Sequence, residues 1–344
     1  MKKTSSVIIV AMLLILAAIS VYIYKNKSKS TTVDTDARSF KYKDTAAITK
    51  IFIADKEGDQ SLIERTKTGW VVNGKFPCRS DAILNLLEAI KNIEVKMPVS
   101  KNARDGVLKK MASGALKVEI YVGEDLVKQY YVGHETPDSE GSYMLLTNSE
   151  SGKNYDQPFA CFIPGFIGYL IPRFIAKENE WRDRVVINYI PPQIKKIKVE
   201  HFQNPDSSFT IDILNTKTFK LKNSKNTDIP FDEFKMKQYL AYFQNISYEV
   251  LLTGKNKKLA DSLFKTKPSH IIVITKTDLK TDEFKFYHKQ TPNVAPEHGI
   301  VYKYDPDRMY MRFANDKEWA VIQTFVFGKL LVSPNYFLAA TVKK

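Results

Sequence analysis

The chain has few of the residues that do chemistry. Its 344 residues include 2 Cys, 5 His and 3 Trp. Cys78 and Cys161 are too far apart for a C-x-x-C redox or zinc spacing, and two cysteines specify no disulfide framework. Whether they are bonded stays open. There is no G-x-S-x-G elbow and no phosphate-binding glycine loop, which removes the recognisable serine hydrolases and P-loop enzymes. Arginine is scarce as well, nine residues against 43 lysines. The formal charge of +14 therefore lacks the clustered, fork-shaped donors that read nucleic acid. The lysines are interleaved with Asp and Glu and read as a solvated surface with a modest attraction to anionic headgroups. No nucleic-acid partner is expected.

Long apolar runs are absent, with one exception. Val7 to Tyr24 carries no charge over eighteen residues, which as a helix would extend roughly 27 Å, close to a bilayer's hydrocarbon thickness. Lys2 and Lys3 precede it; Lys25, Lys27 and Lys29 follow it, and Tyr22 and Tyr24 stand where an interfacial aromatic belt would be. The expectation is an uncleaved transmembrane anchor in contact with the lipid bilayer. Ala18-Ile19-Ser20 keeps a cleaved signal peptide open as the alternative. The length of the domain behind it places that domain outside the cytoplasm, on a single-pass inner-membrane protein.

Behind the run, the sequence repeats itself. Ile48-Thr49-Lys50-Ile51 is echoed by Ile194-Lys195-Lys196-Ile197, Thr66-Lys67-Thr68 by Thr216-Lys217-Thr218, and Phe166-Ile167-Gly168 by Val326-Phe327-Gly328. Each copy opens on an alternating strand, Ile51 and Ile53 in the first, Ile197 and Val199 in the second. Each continues into an amphipathic helix, with Ile83, Leu86, Ile90 and Ile93 at helical spacing in one, and Met236, Leu240, Phe243 and Ile246 in the other. Pro230 is read as the opening turn of the second helix. Hairpin-like connections follow. The expected fold class is α+β: an N-terminal transmembrane helix, then two tandem copies of a mainly antiparallel sheet-plus-helix module with helices on one face. The expected boundaries are a tail over 1–6, the anchor over 7–24, a polar linker over 25–39, a first repeat over 40–190 and a second over 191–344.

Candidate binding residues are few. His134-Glu135-Thr136-Pro137-Asp138 starts like a zinc-protease helix, but Asp138 replaces the second His and Pro137 forbids the helix. His134, Asp138 and Glu140 remain as a weak loop cation site. His288 and His298 offer a weaker pair. Trp181, Arg182 and Arg184, around Asp183, are candidates for a docking patch, set against a Trp that simply packs. Phe159 to Phe174 is read as core packing in preference to a partner-facing surface. No catalytic residue, metal or cofactor is expected.

Ile48-Thr49-Lys50-Ile51, Gly69-Trp70-Val71-Val72-Asn73, Val132-Gly133 leading to Gly141-Ser142-Tyr143-Met144, and Trp181-Arg182-Asp183-Arg184, in that order behind an apolar N-terminus, resemble the bacterial family of domain of unknown function 4340. The resemblance is to its Bacteroidetes-like, membrane-anchored form. It implies an envelope protein accessory to an ABC-type transporter or surface complex, with other envelope or transporter proteins as partners. It implies no catalytic residue. The expected role is a membrane-anchored, extracytoplasmic, non-enzymatic interaction component. The alternatives are a small-ligand or glycan binder using the cleft between the repeats and, behind it, an unrecognised hydrolase.

Overall fold

The computed structural model describes residues 36–148, 150–253, 257–291 and 302–338. The chain divides into two compact units between Asp183 and Arg184. In the first, the alternating residues form β1 (Lys50–Ala54), β2 (Gln60–Thr66), β3 (Gly69–Val72), β4 (Phe76–Pro77), β5 (Glu94–Pro98), β6 (Leu116–Val122), β7 (Asp125–Glu135), β8 (Ser142–Thr147) and β9 (Phe159–Phe162). They make one sheet in the order β4-β3-β2-β1-β6-β7-β8-β9-β5. Ile51 stands opposite Ile63 on one side and Ile120 on the other, so one face of the sheet is a continuous apolar layer. The helix Ser80–Asn92 lies on that layer and buries Ala82, Ile83, Leu86, Ala89 and Ile90, the i, i+3, i+4 stripe that its spacing dictates.

The opposite face is covered too. The helix Lys101–Gly114 sets Val107 and Met111 against Leu145, with Tyr131 and Tyr143 beside them. Helices on one face only is therefore not what the first unit has. Leu145 lies between Met144 and Leu146 on β8, and all three are buried. A strand buried on both faces reads as an apolar run, not as an alternation.

The second unit contains β10 (Val185–Ile187), β11 (Ile194–His201), β12 (Phe209–Ile213), β13 (Phe219–Asn223), β14 (Asp228–Ile229), β15 (Ile246–Ser247), β16 (Val250–Leu251), β17 (His270–Lys276), β18 (Thr281–Gln290), β19 (Tyr304–Phe313) and β20 (Glu318–Gln323). Its main sheet runs β14-β13-β12-β11-β17-β18-β19-β20-β16, which is the first sheet's order strand for strand; β10 and β15 pair separately. The helix Glu233–Ala241 packs Met236, Tyr239 and Leu240 into the core, and its N-cap Asp232 accepts the Lys235 amide at 3.0 Å. Pro230 thus lies ahead of the helix, not in its first turn. The helix also stops short of Ile246, which is a strand residue opposite Ile187, after Asn245 takes a left-handed conformation.

The fold class needs one further correction. The described chain is mostly antiparallel sheet with few helices. No helix among the described residues is long and apolar enough to cross a membrane. The segment Val7 to Tyr24, to which the sequence assigns a transmembrane helix, lies outside the described residues.

Two glycines mark opposite constraints. A Cβ on Gly141 would lie 2.4 Å from the Cys161 carbonyl oxygen, whereas one on Gly106, within the helix Lys101–Gly114, would meet nothing. Gly141→Ala is expected to destabilise by about 1–3 kcal/mol through overpacking. Gly106→Ala is expected to stabilise by about 0.5–1 kcal/mol through helix propensity. Urea unfolding of the two variants checks both signs.

Candidate functional site

The sequence's most distinctive segments serve the scaffold. Trp181 is fully buried and its indole N–H donates to the Ile175 carbonyl at 2.8 Å. Its own carbonyl accepts the Arg79 amide at 2.8 Å, and the Asp183 amide donates to the Pro77 carbonyl at 2.7 Å. Arg182 bridges Cys78 in an antiparallel pair and lays its guanidinium 3.7 Å from the centre of the Phe76 ring. The segment thus runs beside the outer edge of the first sheet. Arg184 falls in the second unit, where its carbonyl accepts the Tyr248 amide at 3.0 Å. Asn73, in a left-handed turn, accepts the Leu62 amide at 2.8 Å and donates to Glu178 at 2.5 Å. Ser142 is buried and its hydroxyl oxygen accepts the Leu170 amide at 2.9 Å.

The loop cation candidate is arranged around a lysine. Lys96 on β5 donates to Asp138 at 2.9 Å and to Glu140 at 2.7 Å. Its ammonium, helped by the Thr136 hydroxyl, holds the Asp138 carboxyl well below the usual range. His134 instead packs against the Tyr143 ring, centres 5.1 Å apart, and burial with nearby Lys110 lowers its pKa. The structure therefore brings Asp138 and Glu140 together on Lys96 and gives His134 a different neighbour. Asp55, Glu57 and Asp59 do form a tight acidic group. Asp55 uses one carboxylate oxygen to accept the Glu57 and Asp59 amides, both at 2.9 Å, which is the turn between β1 and β2. His298 lies outside the described residues.

Both cysteines are free thiols. Burial pushes Cys78 up to about 12 and raises Cys161 well above its ordinary value. At pH 8 Cys78 would be on the order of one part in ten thousand thiolate, the reactive form. Alkylation by a maleimide is expected to be very slow for both in the native protein and complete for both in urea. Rapid native labelling of Cys78 would contradict the assigned environment.

The loop that leaves β9 presents a surface. Pro164 and Gly165 form a turn closed by the Phe166 amide donating to the Ile163 carbonyl at 3.0 Å, with Gly165 at φ 78° as such a turn requires. Arg173 stacks 4.3 Å from the Phe166 ring centre and reaches Glu88 on the neighbouring helix at 3.3 Å. Ile163 and Leu170 at the two ends of the loop are buried. Between them Ile167 is 89% exposed, flanked by Phe166 and Tyr169 at 36% and 40%. A cavity of about 390 Å³ adjoins, lined by Lys41, Lys43, Lys91, Asn92, Glu94 and Pro164. Lys41 is bonded to Glu94 at 2.9 Å. Core packing accounts for Phe159 and Phe174 but not for the tip of this loop. The turn pair Pro164-Gly165 is the sequence signal that marks it.

The two units are antiparallel sheets of the same strand order. The chain belongs to the family described as Domain of unknown function (DUF4340), whose profile matches residues 70–267. The match begins in β3 of the first unit and runs into the second, past the helix Lys257–Phe264. No curated protein and no solved structure gives a significant match to the chain.

Proposed function

We propose that this protein is a non-enzymatic interaction domain working outside the cytoplasm as an accessory part of an envelope transport or surface complex. The observation that carries the reading is the display of Ile167. A fully exposed isoleucine is ordinary at random on a surface, but here the loop beneath it is built. Its turn is closed, its flanking ring is clamped by Arg173, and both its ends are pinned in the core. Ordering such a loop before binding lowers the entropy lost on contact. The lysines at the adjoining cavity set the partner's chemistry: a protein with an apolar pocket and an acidic rim. The uncharged run Val7 to Tyr24 supports an address outside the cytoplasm, and the family resemblance supports an envelope complex.

The test is a photo-crosslinking amino acid in place of Ile167, in cells that produce the full chain. One discrete adduct with an envelope protein is expected, and Lys91→Glu should reduce its yield. The same probe in place of Lys220, exposed on β13 of the second unit, should give none. No adduct at position 167, or the same adducts at both positions, would remove the proposal.

A further inference from the structure

Three of the five histidines come together in the second unit, although they are far apart in sequence. On β11 the core-facing residues Ile197 and Val199 are followed at the same spacing by His201. On β17, Ile274 and Ile272 lead in the same way to His270, which stands directly opposite His201. On β18, Phe284 and Phe286 lead to His288, two residues beyond the partner of His270. Because side chains alternate along a strand, all three imidazoles extend the core face at one end of the sheet. The ring centres of His201 and His270 are 4.8 Å apart, and those of His270 and His288 are 6.3 Å apart. At the corresponding place in the first sheet Leu116 stands where His270 does, each opposite a core residue of the next strand, Val132 and Phe286.

Hydrogen bonding fixes which nitrogen of two of these rings carries the proton. His201 Nε2 lies 3.0 Å from the Val332 carbonyl oxygen, which can only accept, so Nε2 is the donor and Nδ1 keeps its lone pair. The Ser269 hydroxyl gives its single proton to the Phe286 carbonyl at 3.0 Å. His270 Nδ1, 2.9 Å from that hydroxyl oxygen, must therefore donate to it, which leaves the lone pair on Nε2. His288 stacks on Tyr304 at 4.3 Å between ring centres, and its Nε2 is enclosed with no hydrogen-bond partner among the described residues. A ring N–H given to a carbonyl or hydroxyl, with the other nitrogen bare, is the second-shell arrangement of a metal-binding histidine.

We propose that His201, His270 and His288 form a site for a divalent transition metal of the zinc, nickel or copper class. An all-imidazole set without carboxylates suits these borderline ions and disfavours magnesium and calcium. Two imidazoles on one ion, each at about 2.1 Å, hold their ring centres roughly 5–6 Å apart. The observed spacings bracket that range. The three nitrogens do not yet converge as a preformed triad, unlike the carboxylates of Asp55, Glu57 and Asp59. His201 and His270 supply the first two ligands, and His288 joins by a side-chain rotation. Burial and the two neighbouring histidines lower the pKa of His270. Burial and Lys303 lower that of His288 in the same sense.

The test is calorimetric titration of the full chain with Zn²⁺ at pH 7, with Mg²⁺ as the control, and Cu²⁺ absorption or paramagnetic resonance as a direct report of nitrogen ligation. One equivalent of zinc is expected, with no heat from magnesium. His270→Gln should weaken binding by about tenfold or more, and Asp55→Asn should leave it unchanged. Because His201 is buried, imidazole ¹⁵N shifts of the unaltered protein provide the second readout, with His201 Nδ1 and His270 Nε2 moving on zinc addition. No zinc binding, binding unaffected by His270→Gln, or binding abolished by Asp55→Asn would each overturn the proposal.

Discussion

Each unit depends on the non-local strand pairing at the centre of its sheet. In the first, β1 lies beside β6, with Ile51 opposite Ile120 and Ile53 opposite Val118. In the second, β11 lies beside β17, with Ile197 opposite Ile274 and Val199 opposite Ile272. All eight side chains are fully buried, and each is worth roughly 1.5–3 kcal/mol of transfer free energy. Without this seam each sheet would fall into two local meanders, β4 to β1 and β6 to β9 in the first unit. The seam closes a loop of more than sixty residues, an entropic cost that grows only slowly with length and is offset by the apolar layer. The helices Ser80–Asn92 and Glu233–Ala241 then cover that layer.

Once the seam is set, most of the surface is accounted for. One edge of the first sheet is followed by the Cys78–Arg182 bridge. The other edge, β5, carries Lys96 held by two carboxylates, a register irregularity between Val95 and Met97, and Pro98. Lysine, bulge and proline are the usual means of blocking edge-to-edge association. In the second unit the edge strands β14 and β16 are two residues long. With faces covered and edges blunted, recognition falls to the loops. The loop after β9 is held by Ser142 and Arg173, and after β20 Phe325 is 93% exposed in the corresponding region. The lysine-rich composition reads as it did in sequence, as a solvated surface with many local ion pairs.

Much of this was legible in the sequence where one period dominates. Ile51 and Ile53, and Ile197 and Val199, alternate and are buried core-facing strand residues. The stripe from Ile83 to Ile90 is a helix face. Residues that serve two layers are less legible. Met144-Leu145-Leu146 is buried on both faces of β8, so alternation could not reveal that the short helical segment around Val107 to Met111 covers its second face. Ile246 continued a helical spacing by coincidence and became a strand residue after the turn at Asn245. The candidate site was the least legible part. Spacing along the chain grouped His134 with Asp138 and Glu140, whereas Lys96, about forty residues earlier, is what joins the two carboxylates. The histidine row was hidden for the same reason: His201 and His270 meet only through the register of the seam.

The pairing that assembles each sheet also positions the loops and the imidazoles, so its stability relative to the rest of the unit is the quantity to measure. Native-state hydrogen exchange resolves it residue by residue. The slowest amides are expected in β1 and β6 of the first unit and β11 and β17 of the second. The Leu170 amide should be protected by Ser142, while the amide of Ile167 between the loop's two pinned ends exchanges quickly. Slowest exchange in the outer strands β2 to β4, with β1 and β6 opening early, would contradict the seam as the organising constraint.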